Sequence, residues 1–340
     1  MKGIFLTRYG NADEAFEMRE VPAPEPAPGQ VRISVEAFGL NFADVAARRG
    51  LYQDAPPLPA LLGYEVVGRI DCVGPGVDAS RIGQRVVALT RFGGYATSAV
   101  TDARAAVPIP EEMDAGAATA LATQYGTAWF CAEEMVRLHT GDHVLVHAAA
   151  GGVGTALVQL CKRRGCVVYG TASSQKMDYL RRIGVDWPID YVRADFAAVL
   201  RMLRGNDGLD VIFDSIGGKA VRQGVALLAA GGRIVCLGAA AHEPHRLQLL
   251  SSLRFAASFG FQHPIRLMLA SKAIIGVNML RIADHKPAVL QRCLEAVVDL
   301  TRKGEIEPMV GGRYPVDRIG AAHAFLEGRG STGKVVVTWT

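Results

Sequence analysis

No C-x-x-C pair links any of the six cysteines, Cys72, Cys131, Cys161, Cys166, Cys236 and Cys293. This scatter excludes a cysteine-rich zinc cluster and a disulfide framework, and it predicts buried, reduced thiols. Charge of one sign is also scarce: the formal net charge is +4, and no block of five or six like charges occurs. Nucleic acid is therefore not expected as a partner. The opening MKGIFLTRYG has no apolar run of secretory length, which predicts a cytoplasmic protein. The central stretch 143–161 lacks Asp, Glu, Lys and Arg and is long enough to imitate a membrane span. Its two histidines, Gln159 and central glycines fit a strand, turn and helix better, so no integral membrane segment is expected. No G-x-S-x-G elbow is present, which removes a Ser-His-Asp hydrolase. His147 reads as structural, and His242, His245 and His263 follow no regular spacing.

What the chain does have is apolar mass and turns. Half of its 340 residues are apolar, enough for two domains. The first third is β-rich, with strand-like runs at 31–40, 65–74 and 85–89 and a Pro-rich connector at 21–29. Short strands with frequent turns predict a small β-barrel. From Asp114 the texture becomes Ala-rich and helix-prone, which places a boundary near 121–123. Beyond it, strand candidates at 143–148, 166–172, 209–215, 233–239 and 273–279, with a weak one at 189–191, alternate with helix candidates at 174–183, 196–203 and 219–228. Continuous apolar strands between helices predict an α/β, doubly wound parallel sheet of Rossmann type. The segment 240–271 is longer than an ordinary connection, and its apolar pieces suit a substrate opening or an oligomer interface. A helix at 286–303 and a last strand at 333–340 return to the earlier style and are expected to rejoin the first domain.

The stretch HVLVHAAAGGVGTALVQLCKRRG (143–165) organises this array. Its small-residue turn lets a backbone approach a pyrophosphate, and the helix opening there aims N–H groups at the anion. Ala149, Gly151 and Gly154 fill the three fingerprint positions, with Ala150, Gly152 and Val153 between them. Ala149 replaces the usual first glycine and asks for a turn that a Cβ tolerates. Taken alone, such a turn is either a dinucleotide site or a tight βα connection.

Six further stretches narrow the choice: GLNFADVAARRGLY (39–52), LLGYEVVGRI (61–70), GGYAT (93–97), HAAAGGVG (147–154), FDSIGG (213–218) and GKVVV (333–337). In this order and spacing the chain resembles the zinc-independent quinone oxidoreductase branch of the medium-chain dehydrogenase/reductase superfamily. SKAIIGVNML (271–280), with the long segment before it, is similar to the VAT-1-like subgroup. The resemblance implies a GroES-like β-barrel domain over 1–122 and 284–340, a Rossmann domain over 123–283, and a cleft between them. It also implies a homodimer paired through the strand at 273–279. Relatives with catalytic zinc carry Cys at the position of Asn41 and His at that of Tyr64, before Glu65, so the resemblance implies no metal here.

For the cofactor, an NAD-specific site places Asp or Glu at the end of the second strand. Here GTASSQKM offers Ser173, Ser174 and Lys176 and no acid, which suits a 2′-phosphate and predicts NADPH. The resemblance puts Tyr191 beside the adenosine phosphate, and Thr127, Asn278 and Gly238 toward the nicotinamide. Without a Lewis acid, the expected substrate is a small-molecule quinone or enone that delocalises the charge left by hydride transfer. Asn41, Tyr52 and Tyr64 are the expected catalytic residues, with Asn41 also offered to the cofactor. A 2-enoyl-thioester reductase shares this scaffold. An NADPH-binding protein without turnover, working through membrane or partner contacts, belongs to a different class.

Overall fold

The computed structural model describes residues 1–238 and 254–339. His242, His245 and the apolar piece up to 253 lie outside the described residues. The chain divides into two compact units, Met1–Thr127 with Met279–Thr340, and Ala128–Asn278.

In the first unit the long strand Gln30–Leu40 is the hub. It pairs antiparallel with Lys334–Thr338 and Glu65–Val73, and its first half also pairs with Ser98–Asp102. Two register irregularities against Glu65–Val73 let this strand bend. The seven-stranded sheet runs outward to Val310–Pro315 on one side and to Arg85–Leu89 and Ala106–Pro108 on the other. A three-stranded sheet of Phe16–Glu20, Lys2–Leu6 and Ala60–Leu61 shares its core, in which Ile4, Leu6, Ile33, Phe38, Val66, Val86 and Val335 are buried. This is the GroES-like domain. The carboxyl-terminal strand Lys334–Thr338 rejoins it as the sequence leads one to expect.

The second unit is a six-stranded, wholly parallel sheet. Its spatial order is Trp187–Asp190, Val167–Ala172, His143–Val146, Leu209–Asp214, Leu228–Cys236 and Ala273–Gly276. In order along the chain these are strands 3-2-1-4-5-6, the Rossmann arrangement, with its switch point between His143–Val146 and Leu209–Asp214. Val144, Leu145 and Val146 are fully buried, as a central strand covered by helices requires. The helices are Gly152–Arg163, Met177–Arg182, Phe196–Arg204 and Lys219–Leu227.

The breaks between the units fall a few residues from the expected 122/123 and 283/284. The Ala-rich stretch is one helical run through Ala115–Ala120, Leu121–Tyr125, Gly126–Trp129 and Phe130–Met135, so no turn marks a border. Met279–His285 is a helix packed on Pro287–Arg302, which carries it into the first unit. The fifth strand starts at Leu228 rather than 233, because a register shift around Gly231 and Gly232 keeps the chain paired with Leu209–Asp214.

Candidate active site

The carboxyl ends of the second unit's strands carry the Gly-rich turn. Helix Gly152–Arg163 opens on Gly151 with no side-chain cap, so the N–H groups of its first turn point toward the turn without a side chain to meet them. A side chain at Gly154 would drive into the Ala148 carbonyl, which allows only glycine there. The left-handed residue is Ala148, with φ of 50°, and not Ala149, whose N–H still follows the sheet by donating to Thr171 O at 3.0 Å. The Ala149 Cβ instead packs against Gly170, where an added Cβ would sit 3.0 Å away. Ala150 is buried, while Gly151, Gly152 and Val153 are partly accessible. This is a cradle suited to an anionic pyrophosphate.

At the end of the second strand Ser173, Ser174 and Lys176 lie together in a tight turn, Lys176 N donating to Ser173 O at 2.9 Å. Partial burial draws the Lys176 ammonium below the usual lysine range, an environment that favours a bound anion as counter-charge. The neighbouring strand contributes a residue that the sequence reading missed. Asp190 pairs in register with Ala172 and accepts the Ser174 hydroxyl at 2.5 Å. The Ser174 hydroxyl holds this carboxyl below the ordinary range, and the Arg193 guanidinium lies 3.7 Å away. Ser174 thus has its proton committed to Asp190. Tyr191 follows directly, its ring exposed and its N–H on Ala172 O at 3.2 Å. Gly238 sits so close to Ser215 O that a side chain would crowd it, and Asn278 is exposed at the foot of helix Met279–His285.

The first unit holds Thr127, partly accessible on Gly126–Trp129. Asn41 caps the helix Phe42–Arg48, and its own N–H donates to Asp44 Oδ2 at 2.7 Å. Its side chain is turned inward: Nδ2 donates to Glu65 Oε1 at 2.8 Å and Oδ1 accepts from Lys334 Nζ at 3.0 Å. One N–H of that amide remains for any other acceptor. Lys334 also donates to Glu65 Oε1, and both side chains are wholly buried. The passage of the Lys334 chain needs Gly39, where a Cβ would overlap it. Burial pushes the Glu65 carboxyl up, and the Lys334 ammonium opposes that push.

Tyr64 is buried and Tyr52 partly so, their rings meeting edge-on with centroids 6.2 Å apart. Burial raises both phenols, that of Tyr64 further with Asp44 near it, so each keeps its proton at neutral pH. Asp44 is pushed up to about 7 by burial. Asp44 and Lys334 were not legible as site residues, although each carries a hint: N-x-x-D reads as a cap pair, and Lys334 is the lone charge opening an apolar strand.

This donor set does not fit a zinc ion. Glu65 already meets one cation, the two neighbouring positions hold an amide and a protonated phenol, and among the described residues no thiolate or imidazole converges on them. Among the described residues no three His, Cys, Asp or Glu side chains gather as a metal would need.

Comparison with known proteins adds the following. Residues 27–111 match the family model of the alcohol dehydrogenase GroES-like domain, and residues 152–295 that of the zinc-binding dehydrogenases. The chain is 32% identical to the synaptic vesicle membrane protein VAT-1 homolog of Homo sapiens, over 99% of this chain and 86% of that protein. Among solved structures, a mycobacterial protein complexed with NADPH has a TM-score of 0.85 at 29% identity, covering 99% of each chain. The CurK enoyl reductase has a TM-score of 0.84 at 25% identity, covering 99% of this chain and 98% of that one.

Proposed function

We propose that this chain, which belongs to the medium-chain dehydrogenase/reductase superfamily alongside the VAT-1 homologues, is an NADPH-dependent reductase of the quinone oxidoreductase branch that passes hydride to a quinone without a metal. One observation carries the metal-free reading: the Lys334 ammonium already neutralises Glu65, where a metal would otherwise be expected. An acceptor in this site must then be electron-poor enough to need no Lewis acid, which a quinone is.

When bound, NADPH supplies the hydride. The turn from Ala150 through Gly151, Gly152 and Val153 to Gly154 would hold its pyrophosphate, with Ser173 and Lys176 on the 2′-phosphate. Ser174 stays with Asp190 and contributes lone pairs only. Tyr191 would flank the adenosine, and Gly238 and Asn278, with Thr127 as the family resemblance implies, would serve the nicotinamide end. Tyr52, partly accessible and protonated, donates a hydrogen bond or proton to the reduced oxygen, and Tyr64 backs its ring. Asn41 orients through its remaining amide N–H.

The likeness to the CurK enoyl reductase favours a second reading, hydride transfer to an enone or 2-enoyl thioester. Steady-state oxidation of NADPH with 9,10-phenanthrenequinone, 1,4-benzoquinone and a 2-enoyl thioester separates the two. The quinones should be turned over, and oxidation confined to the thioester would overturn the quinone reading. Tight NADPH binding with turnover of neither would leave a binding protein of the VAT-1 kind. No helix among the described residues is long and apolar enough to cross a membrane.

We also place a homodimer contact on strand Ala273–Gly276. It is the last strand of its sheet and pairs with Leu228–Cys236 alone among the described residues. Such an edge offers backbone groups to a second copy.

A further inference from the structure

At the switch point of the parallel sheet, two buried side chains face each other. His147 follows strand His143–Val146, and Asp214 ends strand Leu209–Asp214; their side chains are 3% and 0% exposed. His147 Nε2 and Asp214 Oδ2 stand 3.8 Å apart, and neither has a hydrogen-bond partner among the described residues. The other Asp214 oxygen accepts from Ile216 N at 2.9 Å and Gly217 N at 2.6 Å, which fixes the carboxylate against the loop that opens helix Lys219–Leu227.

The other face of the imidazole leads to the Gly-rich turn. His147 Nδ1 is 3.0 Å from Thr171 Oγ1, and the same oxygen accepts from Ala148 N at 3.3 Å. A hydroxyl that accepts from Ala148 has its own proton to give, and Nδ1 is placed to take it. The imidazole then carries its proton on Nε2, facing the carboxylate; the opposite tautomer would set two lone pairs against each other. Burial lowers the basicity of this ring, so one proton is what it holds.

Ala148 is where this chain of contacts has an effect. With φ of 50° it occupies a left-handed conformation that is strained for a residue with a Cβ. Its carbonyl accepts from Gly151 N at 2.9 Å and seats the close approach of Gly154. The strained residue is therefore the corner on which the turn rests.

We propose that His147 is a positioning residue for the cofactor turn: protonated on Nε2 toward Asp214, it orients the Thr171 hydroxyl that holds Ala148 in its left-handed conformation. The proposal rests on the reading of this turn as the NADPH site. Its consequence is that the turn after the first strand and the loop after the fourth are set as one piece.

The test combines three substitutions with two readouts. Thr171→Val removes the hydroxyl, Thr171→Ser keeps it, and Ala148→Gly removes the cost of the left-handed conformation. In fluorescence titration of the purified protein, Thr171→Val should raise the NADPH Kd about tenfold or more, because Ala148 is no longer held in its left-handed conformation. Thr171→Ser should stay within about twofold, and Ala148→Gly in the Thr171→Val background should recover most of the loss, since glycine needs no anchor there. The KM for the acceptor should be unchanged throughout. Independently of cofactor, imidazole 15N spectra of the cofactor-free wild type should show the Nε2–H tautomer at His147.

An Nδ1–H tautomer, or losses that Ala148→Gly fails to relieve, would overturn the proposal. If Thr171→Val does not fold, the tautomer and the Thr171→Ser titration still decide it. Wild-type protein that takes up no NADPH overturns the cofactor reading, and with it any role of His147 in that binding. Wild type that binds NADPH no better than Thr171→Val overturns this proposal alone.

Discussion

Lys176 and Asp190 place opposite charges within one small neighbourhood, the carboxyl ends of adjacent strands. A 2′-phosphate bound there as proposed would add negative charge to that neighbourhood, so the balance between the two would decide which dinucleotide is preferred. Asp190 is partly spent: it holds the Ser174 hydroxyl and has Arg193 nearby. Lys176, drawn below its usual range by burial, gains most from an anionic partner. Replacing Lys176 with Glu removes a charge-assisted contact worth roughly 1.5–3 kcal/mol and adds repulsion. The NADPH Kd should therefore rise about 100-fold while that of NADH changes by no more than about threefold, measured by parallel fluorescence titrations. Equal losses for the two cofactors would refute the 2′-phosphate assignment.

Among the elements, the last strand of the parallel sheet carries the clearest expectation. Ala273–Gly276 is preceded by helix Pro264–Ala270, on which Met268 and Leu269 are 70% and 78% exposed. Apolar side chains this open beside a half-paired strand suit a second copy of the chain. Light scattering should read twice the mass of one chain, and Met268→Asp with Leu269→Asp should reduce it to one; an undiminished mass would put the interface elsewhere. The strand itself was legible, as were 143–148, 166–172 and 209–215, because each is an apolar run bounded by turn residues. What was not legible depends on neighbours in space. Asp190 reaches Ser174 only because two strands pair in register, and the left-handed residue falls on Ala148 because Ala149 remains tied to Thr171. The unit break lies a few residues past the expected one for a related reason, since a continuous helix crosses it without a turn residue.

For the molecule as a whole, these buried ionisable groups make stability depend on pH in opposing ways. Asp44 is fully buried and pushed up to about 7, whereas in the unfolded chain it titrates near pH ~3.9. Between those values the folded protein holds a proton that the unfolded chain has released. Stability from this group is thus complete below about pH 4 and is lost as pH rises through about 7. His323 works the other way. Burial, with Arg48 near it, lowers the ring to about 3, so stability is lost as pH falls below the ordinary histidine range of about 6.5 toward 3. The two trends together predict a maximum on the acid side of neutrality. Asp44→Asn isolates one of them: the amide oxygen still accepts from Asn41 N, while the titrating proton is gone. Urea unfolding across pH 5 to 8.5 should then show wild type losing roughly 3 kcal/mol relative to Asp44→Asn as pH rises, most of it below about pH 7. Parallel curves for the two proteins would mean that Asp44 is already ionised in the fold and that the cluster around Asn41 carries its charge without cost.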